Sequence, residues 1–80
     1  MLYKIPLIMV AQPEGGFTVT SPLLPELVTE GDTAEEALSN VSDALAAVLE
    51  LYEEQGRALP PGMMQDAQAG PVWLETLVAA

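Results

Sequence analysis

Residues 30–56 read EGDTAEEALSNVSDALAAVLELYEEQG, and this stretch constrains the fold more than any other. Thr33 can cap a helix with its hydroxyl, and Glu36 stands where its carboxylate can return a bond to the Thr33 amide, so Thr33-Ala34-Glu35-Glu36 is a capping box. Asp32, Glu35 and Glu36 place negative charge at the positive end of the helix dipole. Ala34, Ala37, Leu38, Val41, Ala44, Leu45, Val48, Leu49 and Tyr52 recur at helical spacing and form one apolar stripe. Gly56 supplies the left-handed residue that ends the helix, and Pro60 and Pro61 stop it from resuming. The spacing therefore predicts one helix over residues 33–55. At about 1.5 Å per residue it runs roughly 33 Å, enough to cover the whole face of a small sheet.

The strands follow from alternation. Residues 2–10 read as one strand, with Tyr3, Ile5, Leu7 and Met9 toward the helix and Leu2, Lys4, Pro6, Ile8 and Val10 on the other face. Pro6 has no amide hydrogen to donate, so it belongs at an edge, a bulge or a ladder position that does not donate. Gln12-Pro13-Glu14-Gly15-Gly16 is a turn by composition, and residues 17–20 form the second arm of a hairpin, with Phe17 and Val19 inward. A proline-punctuated crossing, Ser21-Pro22-Leu23-Leu24-Pro25-Glu26, leads to a third strand over residues 27–30. Residues 63–69 fit either a helical turn or a loop, and residues 72–78 have the composition of a fourth strand. The fold class is α+β: a small, mostly antiparallel β-β-β-α-β sheet with one long amphipathic helix packed on one face. Leu38, Val41, Leu45 and Val48 should bury against Tyr3, Ile5, Phe17 and Val19.

Eighty residues make a single domain, residues 1–80, and a chain this short is marginal alone. Histidine and cysteine are both absent, which removes the usual general base, the commonest metal ligand and any thiolate site. The serines and threonines have no base to activate them, Gly15-Gly16 lacks the lysine of a phosphate loop, and the Asp32, Glu35 and Glu36 cluster is explained by capping. No enzyme, metal or cofactor is expected. Twelve acids against Lys4 and Arg57 give a net charge of −10, a surface that repels nucleic acid and attracts basic proteins. The acids of the helix that fall off its apolar stripe, Asp43, Glu50, Glu53 and Glu54, with Glu30 at the helix mouth, are the candidate partner-binding residues. Ile8 and Val10 beside Thr18 and Thr20 leave an apolar outer sheet face, which points to a homodimer or larger assembly. Met63, Met64 and Trp73 fit either an adaptable partner patch or the closure of a small core. The longest apolar run, residues 5–11, is too short to span a bilayer, and a cytoplasmic location is the default expectation.

One order of motifs is more specific than any of these alone. Tyr3 to Pro6, Gly16-Phe17-Thr18-Val19, Pro22-x-Leu24-Pro25, Glu30-Gly31-Asp32-Thr33-x-Glu35-Glu36-Ala37-Leu38 and Glu54-x-Gly56-x-x-x-Pro60 together resemble the N-terminal domain of HicB-type antitoxins over residues 2–61. Where that family often has P-D-L-P-G-C, this chain has Pro22-Leu23-Leu24-Pro25-Glu26-Leu27. The resemblance implies a partial ribonuclease-H-like fold with strand order 3-2-1-4, the fourth strand parallel to the first. It also implies a partner, a small basic ribonuclease toxin of the HicA type whose RNA site is blocked. Many members carry a separate C-terminal DNA-binding domain; none is expected here, nor is direct nucleic-acid binding. A second reading is a stand-alone oligomeric domain of the same family with a scaffolding or small-ligand role.

Overall fold

The computed structural model describes residues 2–65 together with Pro71 and Glu75. In chain order the elements are β1 (Leu2–Tyr3), β2 (Ile8–Ala11), β3 (Phe17–Thr20), β4 (Val28–Gly31), α1 (Ala34–Ser39), α2 (Val41–Glu54) and β5 (Met64–Gln65). The α+β class stands as expected, a three-stranded antiparallel sheet of order β2-β3-β4 with the helical segment packed against it. The register sets Ile8 opposite Thr20, Val10 opposite Thr18, Thr18 opposite Glu30 and Thr20 opposite Val28. That order is the 3-2-1 portion of the expected 3-2-1-4. The fourth strand expected at residues 72–78, and Trp73 within it, lie outside the described residues.

The single strand expected over residues 2–10 is two strands. Residues 4–7 belong to no strand, and Pro6 lies in the middle of the break. A residue with no N–H cannot sustain a ladder, so the chain leaves the sheet there. The two ends then pair with different partners. β1 joins β5 antiparallel, Leu2 opposite Gln65 and Tyr3 opposite Met64, and the Lys4 amide donates to the Met63 carbonyl at 2.7 Å. Met64 and Gln65 are thus a strand where the sequence predicts a helical turn or a loop over residues 63–69; residues 66–69 lie outside the described residues. The break also ends the alternation that would have buried every second side chain. Tyr3 and Leu7 are exposed rather than core, while Ile5 still packs against buried residues.

The expected single helix is divided at Asn40. Helical hydrogen bonds nonetheless run through that residue, from the Asn40 amide to the Glu36 carbonyl at 3.0 Å and from the Ala44 amide to the Asn40 carbonyl at 3.1 Å. The Asn40 side chain turns back to the sheet, its Nδ2 donating to the Glu30 carbonyl at 2.8 Å. A short amide side chain that can bond backbone competes with regular helix, which accounts for the interruption. At the start, the Glu36 amide donates to Thr33 Oγ1 at 3.1 Å, as the cap requires. The return bond of the capping box, from the Thr33 amide to the Glu36 carboxylate, is absent among the described residues. At the end, Gly56 has φ +64°, its amide bonds the Glu53 carbonyl and the Arg57 amide bonds the Tyr52 carbonyl. This pairing satisfies two of the last carbonyls.

Burial divides between two places. Under α1, Val19 and Ala37 are fully buried, and Gly31 lets the helix approach β4. Under α2, Leu24, Leu27, Val48, Tyr52 and Met63 form a second cluster, with Ile5, Ala44, Leu45, Leu49 and Leu59 packed on it. Leu24 lies in the proline crossing and Leu27, expected to open the third strand, stands just before β4; the Leu27 amide bonds the Leu24 carbonyl at 2.9 Å, and both side chains are buried. Burying each stabilises by roughly 1.5–3 kcal/mol. Val19 and Val48 are buried as expected, and Leu38, Val41, Leu45 and Phe17 are half-buried. Met63 closes the core rather than forming a surface patch.

Candidate partner-binding surface

The face of α2 turned away from the core follows from its stripe. With Ala44, Leu45, Val48, Leu49 and Tyr52 inward, Asp43, Ala46, Ala47, Glu50, Glu53 and Glu54 are all exposed. Asp43, Glu50 and Glu54 are spaced seven and four residues apart, so they lie nearly in line along the helix, about 10 Å and 6 Å apart by rise. Glu53 stands to one side, at the rim of a shallow groove lined by Tyr3, Leu49, Tyr52, Arg57 and Leu59. Glu30 is not brought together with these four. It pairs with Thr18 and so points away from Val19, which is buried toward the helix; Glu30 lies on the opposite face of the sheet.

That opposite face holds the other candidate set. Ile8, Thr20 and Val28 form one row across the three strands, and Val10, Thr18 and Glu30 form the next. Ile8, Val10 and Val28 are 51%, 52% and 58% exposed, and the two threonines are half-buried. Gln12 Nε2 donates to Thr18 Oγ1 at 3.0 Å along the second row.

A third group was not legible in the sequence. The Tyr52 hydroxyl donates to Glu26 Oε2 at 2.9 Å, Arg57 Nη1 meets Glu26 Oε1 at 2.9 Å, and the Arg57 guanidinium sits 4.1 Å from the centre of the Tyr52 ring. This clasp ties the proline crossing to the end of α2. The Glu26 carboxyl is held below its ordinary value of 4.5, first by a hydrogen bond from its own backbone amide and then by the Tyr52 hydroxyl and Arg57, against opposing desolvation. Burial, and then the bond to the Glu26 carboxylate, raises the Tyr52 hydroxyl above its ordinary 10.0. The one available signal was Glu26 itself, a charged residue where the HicB pattern often has glycine. The clasp also decides a matter of charge: Arg57 is matched by Glu26 and does not offset the acids of α2. Among the described residues no group of three acids could hold a metal ion, and no helix is long and apolar enough to cross a membrane.

Comparison with known proteins gives this geometry a family. No protein-family model matches the chain. The chain is 48% identical over 50 residues to antitoxin HicB 1 of Photorhabdus laumondii, a match covering 61% of this chain and 32% of that protein. It is 33% identical over 57 residues to antitoxin HicB of Escherichia coli K12, covering 71% of this chain and 41% of that protein. It is 32% identical over 57 residues to a UPF0150 protein of Thermoplasma acidophilum, covering 71% of this chain and 83% of that protein. The match thus spans well under half the length of the two HicB antitoxins and most of the archaeal protein. On these similarities, the chain belongs to the HicB-like antitoxin family.

Proposed function

We propose that this chain is the antitoxin half of a toxin–antitoxin pair and that it neutralises a small basic ribonuclease of the HicA type by occupying its RNA site. The reading rests on relatives that carry the antitoxin name and on one observation of the chain itself, the line of Asp43, Glu50 and Glu54 on the exposed face of α2. A row of fixed carboxylates offers a basic RNA site the charge of its substrate without a bond to cleave. Opposed charges raise the encounter rate most steeply at low salt, while apolar contact governs how long the complex lasts. The role is a binding one, with no catalytic step. Two cations against twelve acids leave too little positive charge to neutralise a phosphate backbone, so the antitoxin would act on the toxin and not on RNA or DNA.

The test is co-expression with a basic toxin encoded beside this chain, scored by growth and by direct binding. The wild-type chain should rescue growth, and reversing Glu50, Glu53 and Glu54 together should slow association with little change in far-UV circular dichroism. Rescue and association rate unchanged by the triple reversal would remove the α2 face. Failure of the wild-type chain to bind any adjacent basic protein would remove the antitoxin reading. A second reading, a stand-alone HicB-like domain with a scaffolding or small-ligand role, is favoured by the relative that the match covers most fully, whose name carries no activity.

A further inference from the structure

We propose that the shallow groove between β1 and the end of α2 takes one apolar side chain of a basic protein, an anchor seated beside the acids of α2. The inference rests on the reading that this helix faces a basic partner, and it names what that partner inserts. The groove is lined by Tyr3 of β1, by Leu49 and Tyr52 of α2 and by Leu59, with Glu53 and Arg57 at its rim. Leu49 and Leu59 are half-buried and Tyr3 keeps 38% of its surface exposed, so the floor is apolar and open. Leu49 stands four residues before Glu53 and Glu50 stands three before it, which sets the groove and the acidic line side by side on one helix.

Size and chemistry narrow the occupant. The groove holds roughly 240 Å³, below the roughly 300–1,000 Å³ of small-molecule clefts, so it suits one side chain rather than a cofactor. Its polar groups are already engaged. The Tyr52 hydroxyl donates to Glu26, and Arg57 pairs with Glu26 and covers the Tyr52 ring. A small anion would compete with Glu26 for Arg57, whereas an apolar side chain leaves the clasp intact and displaces only water.

Charge then separates the sources of that side chain. Glu53 is exposed, and among the described residues the one ion pair joins Arg57 to Glu26, so Glu53 has no cation from its own chain there. Residues 66–80 bring Asp66 and Glu75 and no lysine or arginine. A second copy brings a net charge of −10. A basic protein instead gains twice, an apolar side chain filling the floor while a lysine or arginine beside it meets Glu53. The groove thus governs how long the complex lasts, and the acidic line how fast it forms.

Two measurements test the proposal. In the first, amide chemical shifts of the full chain are followed during titration with blocked tripeptides to about 10 mM. Arginine-phenylalanine-arginine should shift the amides of Leu49, Glu53 and Leu59 more than arginine-alanine-arginine does, and glutamate-phenylalanine-glutamate should leave them in place. Tyr3→Ala should make the two arginine peptides equivalent. Glu53→Lys, at an exposed position, should turn the preference toward the glutamate peptide with an unchanged circular dichroism spectrum. In the second, with the basic protein encoded beside this chain, Tyr3→Ala should raise the dissociation rate about tenfold and leave the association rate within about twofold. Equal shifts from the two arginine peptides overturn the proposal. So do shifts centred on another surface, or no shift at all, as would follow if residues 66–80 of the same chain filled the groove. Shifts of the same amides on dilution without peptide would mark a second copy as the occupant and overturn it too, as would a dissociation rate unchanged by Tyr3→Ala. Failure of the wild-type chain to bind the adjacent protein removes the antitoxin reading, while the peptides still decide the groove.

Discussion

Replacing Gly31 with alanine should destabilise this protein although the change adds one methyl group. Gly31 does not have a positive φ, so its backbone conformation is open to alanine. At such a position the substitution ordinarily stabilises by about 0.4–1 kcal/mol, through the entropy of the unfolded chain. Here the new Cβ would stand 2.8 Å from the Glu36 carbonyl carbon and 2.9 Å from the Ala37 Cα, and closer still to the Ala37 amide nitrogen. All three are backbone atoms of α1, so no side chain can swing aside. The helix would have to recede by about 1 Å to bring the Ala37 amide nitrogen to ordinary contact, while the Thr33 cap and the Asn40 bond to the Glu30 carbonyl hold both of its ends. Overpacking of this kind costs about 1–3 kcal/mol, so the entropic gain is more than offset and the net loss is on the order of 1–2 kcal/mol. For a domain of this size that lowers the melting temperature by about 4–8 °C per kcal/mol. Urea titration followed at 222 nm measures it. Adding Ala37→Gly should not restore stability, because it removes a Cβ that is not in the way. A Gly31→Ala protein as stable as wild type, or one rescued by Ala37→Gly, would refute the packing argument.

Other expectations concern the second core and the clasp. Leu24→Ala removes a fully buried side chain and should cost about 2–5 kcal/mol; Leu45→Ala, at a half-buried position, should cost less than Leu24→Ala in the same denaturant titration. Because the Glu26 carboxyl is held below 4.5 in the folded chain, its contribution is complete above that pH and is lost as pH falls through the lowered folded value. The stability difference between wild type and Glu26→Gln should thus be largest near neutrality and shrink on acidification, whatever the relief of repulsion among the other acids does to both proteins. A difference that stays constant down to pH 2 would remove Glu26 from the clasp's titration.

The helix, the hairpin and the family were legible because each depends on short-range chemistry. Thr33 and Gly56 mark ends through bonds to neighbouring residues, and Gly15 and Gly16 make the turn with φ +102° and +84°. The break at Pro6 was harder to read. A missing N–H says that a ladder cannot continue, but whether the chain bulges or leaves depends on what pairs with Leu2 and Tyr3, and those partners, Met64 and Gln65, lie at the far end of the described chain. Leu24 was passed over for a similar reason: between Pro22 and Pro25 it shows no period. Leu27 was read as the start of the third strand but stands just before β4, and only the chain's return beneath α2 buries both. Gly31 appeared in the sequence as part of the family motif; its physical reason, the closeness of α1, needed coordinates. The α2 acids were found by spacing, and the same spacing could not place Glu30, whose face is set by its pairing with Thr18.

The division of burial into two cores has a consequence for the order in which this chain acquires its shape. Val19 and Ala37 sit among β2, β3, β4 and α1, where the strands pair with their sequence neighbours and α1 packs on β4 and on β3 just before it. Contacts this local cost little loop-closure entropy and form early. The cluster under α2 joins Leu24 and Leu27 to Met63, a closure across the whole helical segment. As the chain leaves the ribosome, the sheet and α1 can therefore be complete while α2 still lacks the residue that seals it. The row from Asp43 to Glu54 becomes a fixed surface only when Met63 has emerged, so a partner that reads that row meets it only after the cluster under α2 has closed.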